Sequence, residues 1–239
     1  MTNTSTSPDV RSSLSEAADI LSAELGLQNR QWAIVGGYVR DALLEERFDK
    51  PIISSDIDIV VLGDCPNFSS NRSILKKKRN TFGGMKISTS RFSEIDIWSV
   101  QKSSAASVEQ FWEEYLSRQD FTINAVMYVY QSSELLIHDD WYEGLSKGII
   151  QEMPYAQKPE LQAIRALALA SKLSLQTEQT FSLSQSIIEK LYESSISTFN
   201  KDIVKNYLNM KCSSRKWNRH LITEYYTTNK FKISQSNFF

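Results

Sequence analysis

The sequence predicts an α+β protein, in which a small mixed or antiparallel sheet is flanked by helices and followed by a short all-helical domain. Short apolar strand-like runs alternate with helix-like segments up to about residue 155. Two of these runs carry alternating aspartates, at Asp56 and Asp58 and at Asp96. After Pro159 the apolar residues repeat only at helical spacing. We therefore expect a mixed domain over 11–155 and a helical and basic region over 156–239.

Composition places the chain among ordinary globular proteins. Its 239 residues are 41% apolar and 23% charged, which suffices for one large domain or two small ones. No apolar run approaches the roughly 18 residues that cross a bilayer, so no membrane partner is expected. Residues 1–10 predict a disordered lead in a cytoplasmic protein. Cys65 and Cys212 are isolated, which argues against a cysteine metal site or a disulfide.

The charges are unevenly distributed along the chain. Residues 197–239 contain eight Lys or Arg and two Asp or Glu, whereas the first 196 residues contain nineteen and twenty-six. An acidic body of charge −7 with a basic tail of +6 suits a metal-binding enzyme that meets a polyanion such as RNA. The alternative is a solvated helical face that happens to be basic.

Periodicity and capping signals define the elements of the first half. Ser13 to Glu16 form a capping box that predicts the start of a helix ending at Gly26. The basic run from Lys76 to Arg79 lies in a polar segment, 67–80, that is typical of a solvated loop. We further predict a strand over 31–35, a helix over 38–46 and a strand over 56–62. A third strand that begins at Phe82 and a fourth over 94–100 are predicted to form a hairpin.

The second half begins with a capping box from Ser107 to Gln110. Apolar residues at helical spacing follow it, so an amphipathic helix is expected there. Two short strands, over 126–130 and 135–138, precede a turn or short helix over 139–147. Helices are then expected around 161–168, 183–191, 203–208 and 217–226.

The pattern Asp56-Ile57-Asp58 is the first chemical signal. Residues at i and i+2 of a strand point to the same face, so both carboxylates leave the sheet together. Two adjacent carboxylates repel each other unless a cation lies between them. Mg²⁺ takes few carboxylates and completes its shell with water and substrate phosphates, which indicates a triphosphate enzyme. The alternative is two exposed aspartates on an edge strand.

Two further features support this chemistry. Gly36 and Gly37 follow a strand and open a helix, where a phosphate can approach free backbone N–H groups. Many strand-to-helix turns contain glycine, so the pair alone is a weak signal. Asp96 is either a structural aspartate or a third catalytic carboxylate, which would bind a metal or accept the proton of an attacking hydroxyl.

Taken together, the motifs resemble a known family. In order they are Gly36-Gly37-x-x-Arg40-Asp41, Asp56-x-Asp58, Phe82-Gly83-Gly84, Asp96, and Arg118-Gln119-Asp120-Phe121-Thr122-Ile123-Asn124-Ala125. This set resembles the class II nucleotidyltransferase head domain of bacterial poly(A) polymerases and tRNA CCA-adding enzymes, in the DNA polymerase β superfamily. The resemblance covers roughly residues 30 to 170.

The resemblance implies a polymerase-β-like head and a role for each matching position. It implies Mg²⁺, with Mn²⁺ as the alternative, bound by three catalytic carboxylates: Asp56, Asp58 and Asp96. The positions implied to contact the nucleotide are Gly36, Gly37, Arg40, Arg118 and Arg165. The supporting positions are Asp41, Asp120 and Asn124, for which capping helices and fixing loops is the simpler role.

Three positions depart from the family pattern. Gln119 stands where the family usually has a second arginine, and Pro159 and Gln162 stand where neck residues select the base. The catalytic set is therefore kept while the base-reading set is largely lost. The expected function is transfer of a nucleoside monophosphate from an NTP, preferably ATP, to a hydroxyl, preferably of an RNA 3′ end. The alternatives are modification of a protein or small molecule, and a non-catalytic RNA- or partner-binding module.

Overall fold

The structure, a computed structural model, describes residues 8–52, 54, 56–64, 66–68, 71–79, 83–101, 107–154 and 159–196. Several predictions lie outside these residues: the lead over 1–7, Cys65, Phe82, Cys212, the helices around 203–208 and 217–226, and the basic region from 197. None of the described helices is both long and apolar enough to span a membrane.

The chain divides into two compact units, of which the first comprises Met1–Gln119 and Ile123–Trp141. Its elements are α1 (Pro8–Leu25), β1 (Trp32–Val35), α2 (Gly37–Phe48), β2 (Ile57–Leu62), β3 (Ile74–Arg79), β4 (Met85–Thr89), β5 (Ile95–Val100), α3 (Val108–Ser117), β6 (Val126–Val129) and β7 (Glu134–Ile137). The predicted α+β class is confirmed.

The strands of the first unit form one mixed sheet. Within the described residues its order is β3-β4-β5-β2-β1-β6-β7. All neighbouring pairs are antiparallel except β2 and β5, which run parallel. The hairpin predicted for β4 and β5 is confirmed. The parallel pair lies between two antiparallel parts of the sheet. It carries Asp58 and Asp96, and Asp56 directly precedes β2.

Helix α3 covers part of one sheet face. Ser107 accepts a hydrogen bond from the backbone N–H of Gln110 at its start, as the capping box predicted. Its apolar residues Phe111, Trp112 and Leu116 are buried against the sheet. The sheet residues in this cluster are Ala33, Val35, Val60, Ala125, Met127 and Val129. Val60 and Asp58 are two residues apart on β2, so the face that α3 covers also carries the Asp58 side chain.

The prediction of a solvated loop over 67–80 was wrong in its second half. Ile74 to Arg79 form strand β3, which pairs with β4 at the edge of the sheet. Consecutive charged side chains hide the alternation by which a strand is usually recognised. An edge strand beyond the core can expose both faces, so it needs no such alternation.

The start of helix α1 also differs from the prediction. Helix α1 begins at Pro8, so residues 8–10 are helical instead of part of the lead, and the capping box at Ser13 lies inside the helix. Proline is well tolerated in the first helical turn, Asp9 suits the positive helix end, and Val10 is already buried. Burial of Val10 extends the apolar face by one turn.

The second unit comprises Asp120–Thr122 and Tyr142–Phe239. Helix α4 (Asp140–Lys147) begins in the first unit and ends in the second. The following elements are β8 (Ile149–Ile150), α5 (Pro159–Thr177), β9 (Ser182–Leu183) and α6 (Gln185–Ile196). The sequence predicts only helices for this part of the chain. The short parallel pair of β8 and β9 shows that it is not entirely helical. The domain boundary at 155 stays a prediction.

Truncating a core residue of α3 tests the packing of the first unit. Leu116 is fully buried, so we expect Leu116→Ala to lower the free energy of unfolding by about 2–5 kcal/mol. Leu75 is 67% exposed on β3, and Leu75→Ala serves as the matched control with a change of about 0.5 kcal/mol or less. Urea titration followed by tryptophan fluorescence measures both. Equal effects would contradict the described packing.

Candidate active site

Two acidic pairs face each other across the parallel strands. Asp58 on β2 is paired in register with Asp96 on β5. Asp56 and Glu94 each lie two residues earlier, and the backbone N–H of Ile57 donates to the carbonyl of Glu94. Directly paired residues share a face, and so do residues two apart. The four carboxylates therefore form a compact patch on one face of the sheet.

Three of these carboxylates approach closely enough to share an ion. One carboxylate oxygen each from Asp56, Glu94 and Asp96 lies within 4.8 Å of the others, and all three side chains are half-buried. Glu94 was missed from the sequence, although Glu94-Ile95-Asp96 repeats the i, i+2 spacing of Asp56 and Asp58. The close group does not include Asp58, which lies instead beside Gly36.

The carboxylate patch also contains an unsatisfied oxygen. Oδ1 of Asp96 is buried and has no hydrogen-bond partner among the described residues. A buried carboxylate oxygen without a partner is costly, and a hard cation is the ligand that best relieves that cost. The donor set, which consists only of oxygens, thus fits a divalent ion such as Mg²⁺ or Mn²⁺.

Lys86 of β4 partly neutralises the patch. Its Nζ lies 2.5 Å from Oε1 of Glu94 and 3.5 Å from Oδ2 of Asp96. Burial alone would lower the pKa of Lys86, but the hydrogen bond to Glu94 and the charge of Asp96 outweigh it and raise the pKa. Lys86 therefore stays charged and stabilises two of the carboxylates.

The start of helix α2 lies next to this patch. Gly36 occupies its N-cap with φ +67°, a conformation that favours glycine, and its N–H donates to the carbonyl of Val126. A Cβ built on Gly36 would lie 4.0 Å from Oδ2 of Asp58. The structure thus brings Gly36 to Asp58, and Gly37 follows as the first residue of α2. The N–H groups of a helix start attract phosphate.

Arg40 is part of a buried network within the first unit. It is only 4% exposed, and its Nε and Nη2 donate to Oδ1 of Asp41 at 2.8 and 2.5 Å. Its Nη1 donates to Oδ1 of Asn124 at 2.6 Å. The network fixes α2 to the segment that precedes β6. Asp41 and Asn124 are placed as supporting residues, and the contact of Arg40 with a nucleotide stays a prediction.

Arg118 lies at the end of α3 and is largely exposed. It forms an ion pair with Glu114, one helical turn earlier, at 3.6 Å. Gln119, which replaces the family's second arginine, donates to the carbonyl of Tyr115. Neither residue is joined to the carboxylate patch by a described contact. The role of Arg118 in holding the nucleotide stays a prediction.

Two predicted positions meet inside the second unit. Asp120 and Arg165 form an ion pair. Gln162, buried on α5 one turn before Arg165, donates from Nε2 to the backbone carbonyl of Asp120 at 3.0 Å. Gln162 therefore positions the Asp120 backbone. The nucleotide contact predicted for Arg165 is not tested by this geometry.

The comparison with protein families matches the part of the chain that contains the carboxylate patch. Residues 32–151, which are 120 of the 239, match the family described as the Poly A polymerase head domain. The chain belongs to this family. The class II nucleotidyltransferase head that the motifs predicted is thereby confirmed.

Solved structures show the same fold. A CCA-adding enzyme in apo form I is 20% identical with a TM-score of 0.62, over 94% of this chain and 52% of that one. The Thermotoga maritima CCA-adding enzyme complexed with tRNA is 20% identical with a TM-score of 0.58, over 94% and 52%. A tRNA-processing enzyme in apo form I is 22% identical with a TM-score of 0.59, over 95% and 58%.

The chain therefore spans little more than half the length of these structures. Comparison with curated protein sequences finds no match.

Removing the partner of Arg40 tests the buried network. We expect Asp41→Ala to lower the free energy of unfolding by about 3–5 kcal/mol, because it leaves a buried guanidinium without its carboxylate. Glu114→Ala breaks the exposed pair with Arg118 and should cost about 1 kcal/mol or less. Urea titration measures both variants. Similar costs would show that the Arg40 network is not a buried support.

The metal assignment makes Glu94 a test position. We expect Glu94→Gln to weaken Mn²⁺ binding by roughly tenfold or more, because it removes one charged ligand of the cluster. Asp64→Asn removes the same charge from an exposed position just after β2, at its opposite end, and should leave binding unchanged. Isothermal titration with Mn²⁺ measures both. Unchanged affinity in Glu94→Gln would exclude Glu94 as a ligand.

Proposed function

We propose that this protein is a metal-dependent nucleotidyltransferase. It would transfer a nucleoside monophosphate from an NTP to a hydroxyl of RNA and release pyrophosphate. The observation that supports this most is the in-register pair of acidic motifs beside the start of α2, in a chain of the poly(A) polymerase head family. Carboxylates next to a phosphate-binding helix start are the arrangement that a triphosphate–metal complex requires.

The carboxylates and Lys86 have different roles in the proposed site. Asp56, Asp58 and Asp96, with Glu94 added by the structure, would hold Mg²⁺ or Mn²⁺. The bound ion would supply positive charge against the charge that develops on the triphosphate. Lys86 keeps part of the patch neutral and thereby lowers the repulsion between the carboxylates and an incoming triphosphate.

The reaction is a displacement at the α-phosphorus. The acceptor oxygen forms a bond to the α-phosphorus, and the bond from that phosphorus to the oxygen bridging the α- and β-phosphates breaks. The electron pair leaves with pyrophosphate. The hydroxyl proton passes to a carboxylate oxygen of the patch that does not hold the ion. Gly36, which has no side chain, would let the triphosphate approach closely, and the N–H groups at the start of α2, from Gly37 onward, would hold it in place.

RNA is the proposed acceptor and ATP the preferred nucleotide. Solved structures of the same fold include CCA-adding enzymes with CTP, with ATP and with tRNA. Their identity to this chain is low, so these ligands support the proposal only as a class. The basic residues from 197 onward add a sequence argument for a polyanionic acceptor.

Base selection is proposed to be weak. Helix α5 begins at Pro159, where the family pattern has a base-reading residue, and Gln162 is buried in a bond to the Asp120 carbonyl. Arg165 is left as the nucleotide contact proposed on this helix, and it is paired with Asp120. A site with few hydrogen bonds to the base edge discriminates poorly between bases.

Labelled nucleotides test the proposed function directly. The protein is incubated with each α-labelled NTP and Mg²⁺, with and without total RNA. We expect labelled RNA and pyrophosphate release, both falling by about a hundredfold or more in Asp58→Asn, because charge stabilisation in the transition state is lost. Asp64→Asn, the control of equal charge, should keep full activity.

The outcomes separate the alternatives. Label on the protein or on a small molecule in the absence of RNA would identify a different acceptor with the same centre. No incorporation and no pyrophosphate release under any condition would refute catalysis and leave a binding module. Activity retained in Asp58→Asn would refute the assignment of the carboxylates.

A further inference from the structure

Strand β3 carries an unusual concentration of positive charge. Lys76, Lys77, Lys78 and Arg79 are consecutive and exposed at the edge of the sheet. They are four of the nineteen cations among the first 196 residues, which otherwise carry an excess of acid. Among the described residues, none of the four side chains has an ion-pair partner. The strand therefore presents an uncompensated basic edge.

The register of β3 assigns these cations to two faces. Lys78 pairs with Lys86 of β4, and Lys76 pairs with Ser88. Lys77 pairs instead with the buried Ile87, and Arg79 with Met85. Since paired residues point to the same side, Lys76 and Lys78 lie on the face of Lys86. Lys77 and Arg79 lie on the opposite face.

The face that carries Lys76 and Lys78 is the face of the carboxylate patch. Lys86 pairs with Asp96, and Asp96 pairs with Asp58, so one row across four strands reads Lys78, Lys86, Asp96 and Asp58. The contact of Lys86 with Asp96 confirms that this row points one way. Neighbouring strands lie about 4.8 Å apart, so β3 lies about 10 Å from β5. This distance is roughly the axial rise of three nucleotides in a stacked nucleic-acid strand.

Ion pairing distinguishes Lys76 and Lys78 from Lys86, the other lysine on this face. Lys86 forms ion pairs with Glu94 and Asp96, so its charge is offset within the patch. Lys76 and Lys78 have no carboxylate partner among the described residues and can meet a phosphate. Lysine on an edge strand also discourages edge-to-edge association. That role does not require the charges to lie on a particular face.

We infer that Lys76 and Lys78 bind the sugar–phosphate backbone of the RNA acceptor and guide it along the sheet face toward the carboxylate patch. This inference rests on the proposed function, because it supplies the acceptor contact of the same site. The carboxylates repel RNA, so cations beside them are needed to retain a polyanion near the reacting centre. Backbone contacts of this kind carry no base specificity.

Two double variants test the inference with equal loss of charge. Lys76→Ala with Lys78→Ala removes the pair on the patch face, and Lys77→Ala with Arg79→Ala removes the pair on the other face. Binding of a short fluorescein-labelled single-stranded RNA is measured by anisotropy over a salt series, without NTP. We expect the first variant to bind about tenfold more weakly, with a salt slope shallower by about 1.4, since each lost phosphate contact accounts for about 0.7.

The second variant controls for net charge and for folding, because it removes two charges from the same strand. We expect its affinity to stay within about twofold of the wild type. Equal weakening of both variants, no weakening of either, or a wild type that does not bind RNA would overturn the inference. Because RNA binding is measured without catalysis, the inference about Lys76 and Lys78 can fail while RNA labelling succeeds. The inference can also hold when no nucleotide is transferred.

Discussion

The parallel pairing of β2 with β5 is the constraint on which the rest of the site depends. Its register sets Asp58 beside Asp96 and brings Asp56 and Glu94 together one step earlier. Like charges this close raise the free energy of the fold unless cations offset them. Lys86 offsets part of this repulsion, and the unpartnered oxygen of Asp96 leaves the remainder for a metal ion. A shift of register between these two strands would separate the carboxylates.

The surrounding elements maintain this register. Helix α3 buries Phe111, Trp112 and Leu116 on the face that carries Val60, and so fixes one end of β2. At the other end, Gly36 turns the chain from β1 into α2 beside Asp58. The Arg40 network with Asp41 and Asn124 then joins α2 to the segment before β6. The carboxylates are thus supported on rigid elements, which is what a catalytic site needs.

Much of this arrangement could be predicted from local pattern. The strands of Asp58 and Asp96 alternate apolar and polar residues, and the glycine pair follows a strand, so each signal lies within a few residues. Glu94 was missed because its place opposite Asp56 depends on pairing between strands that are distant in sequence. Strand β3 was missed because four successive cations show no alternation. The burial of Arg40 was missed because its partner Asn124 lies far along the chain.

The structure therefore combines an acidic centre with a basic edge on one sheet face. Such a polarity suits an enzyme whose substrates are both anionic, because a bound metal ion and the lysines would each offset part of the negative charge. The most direct measurement is a crystal structure with Mn²⁺ and an NTP analogue whose α–β bond cannot be cleaved. We expect anomalous density among Asp56, Asp58 and Asp96, with the triphosphate at the start of α2. Density elsewhere, or a triphosphate bound away from α2, would contradict the assignment of this centre.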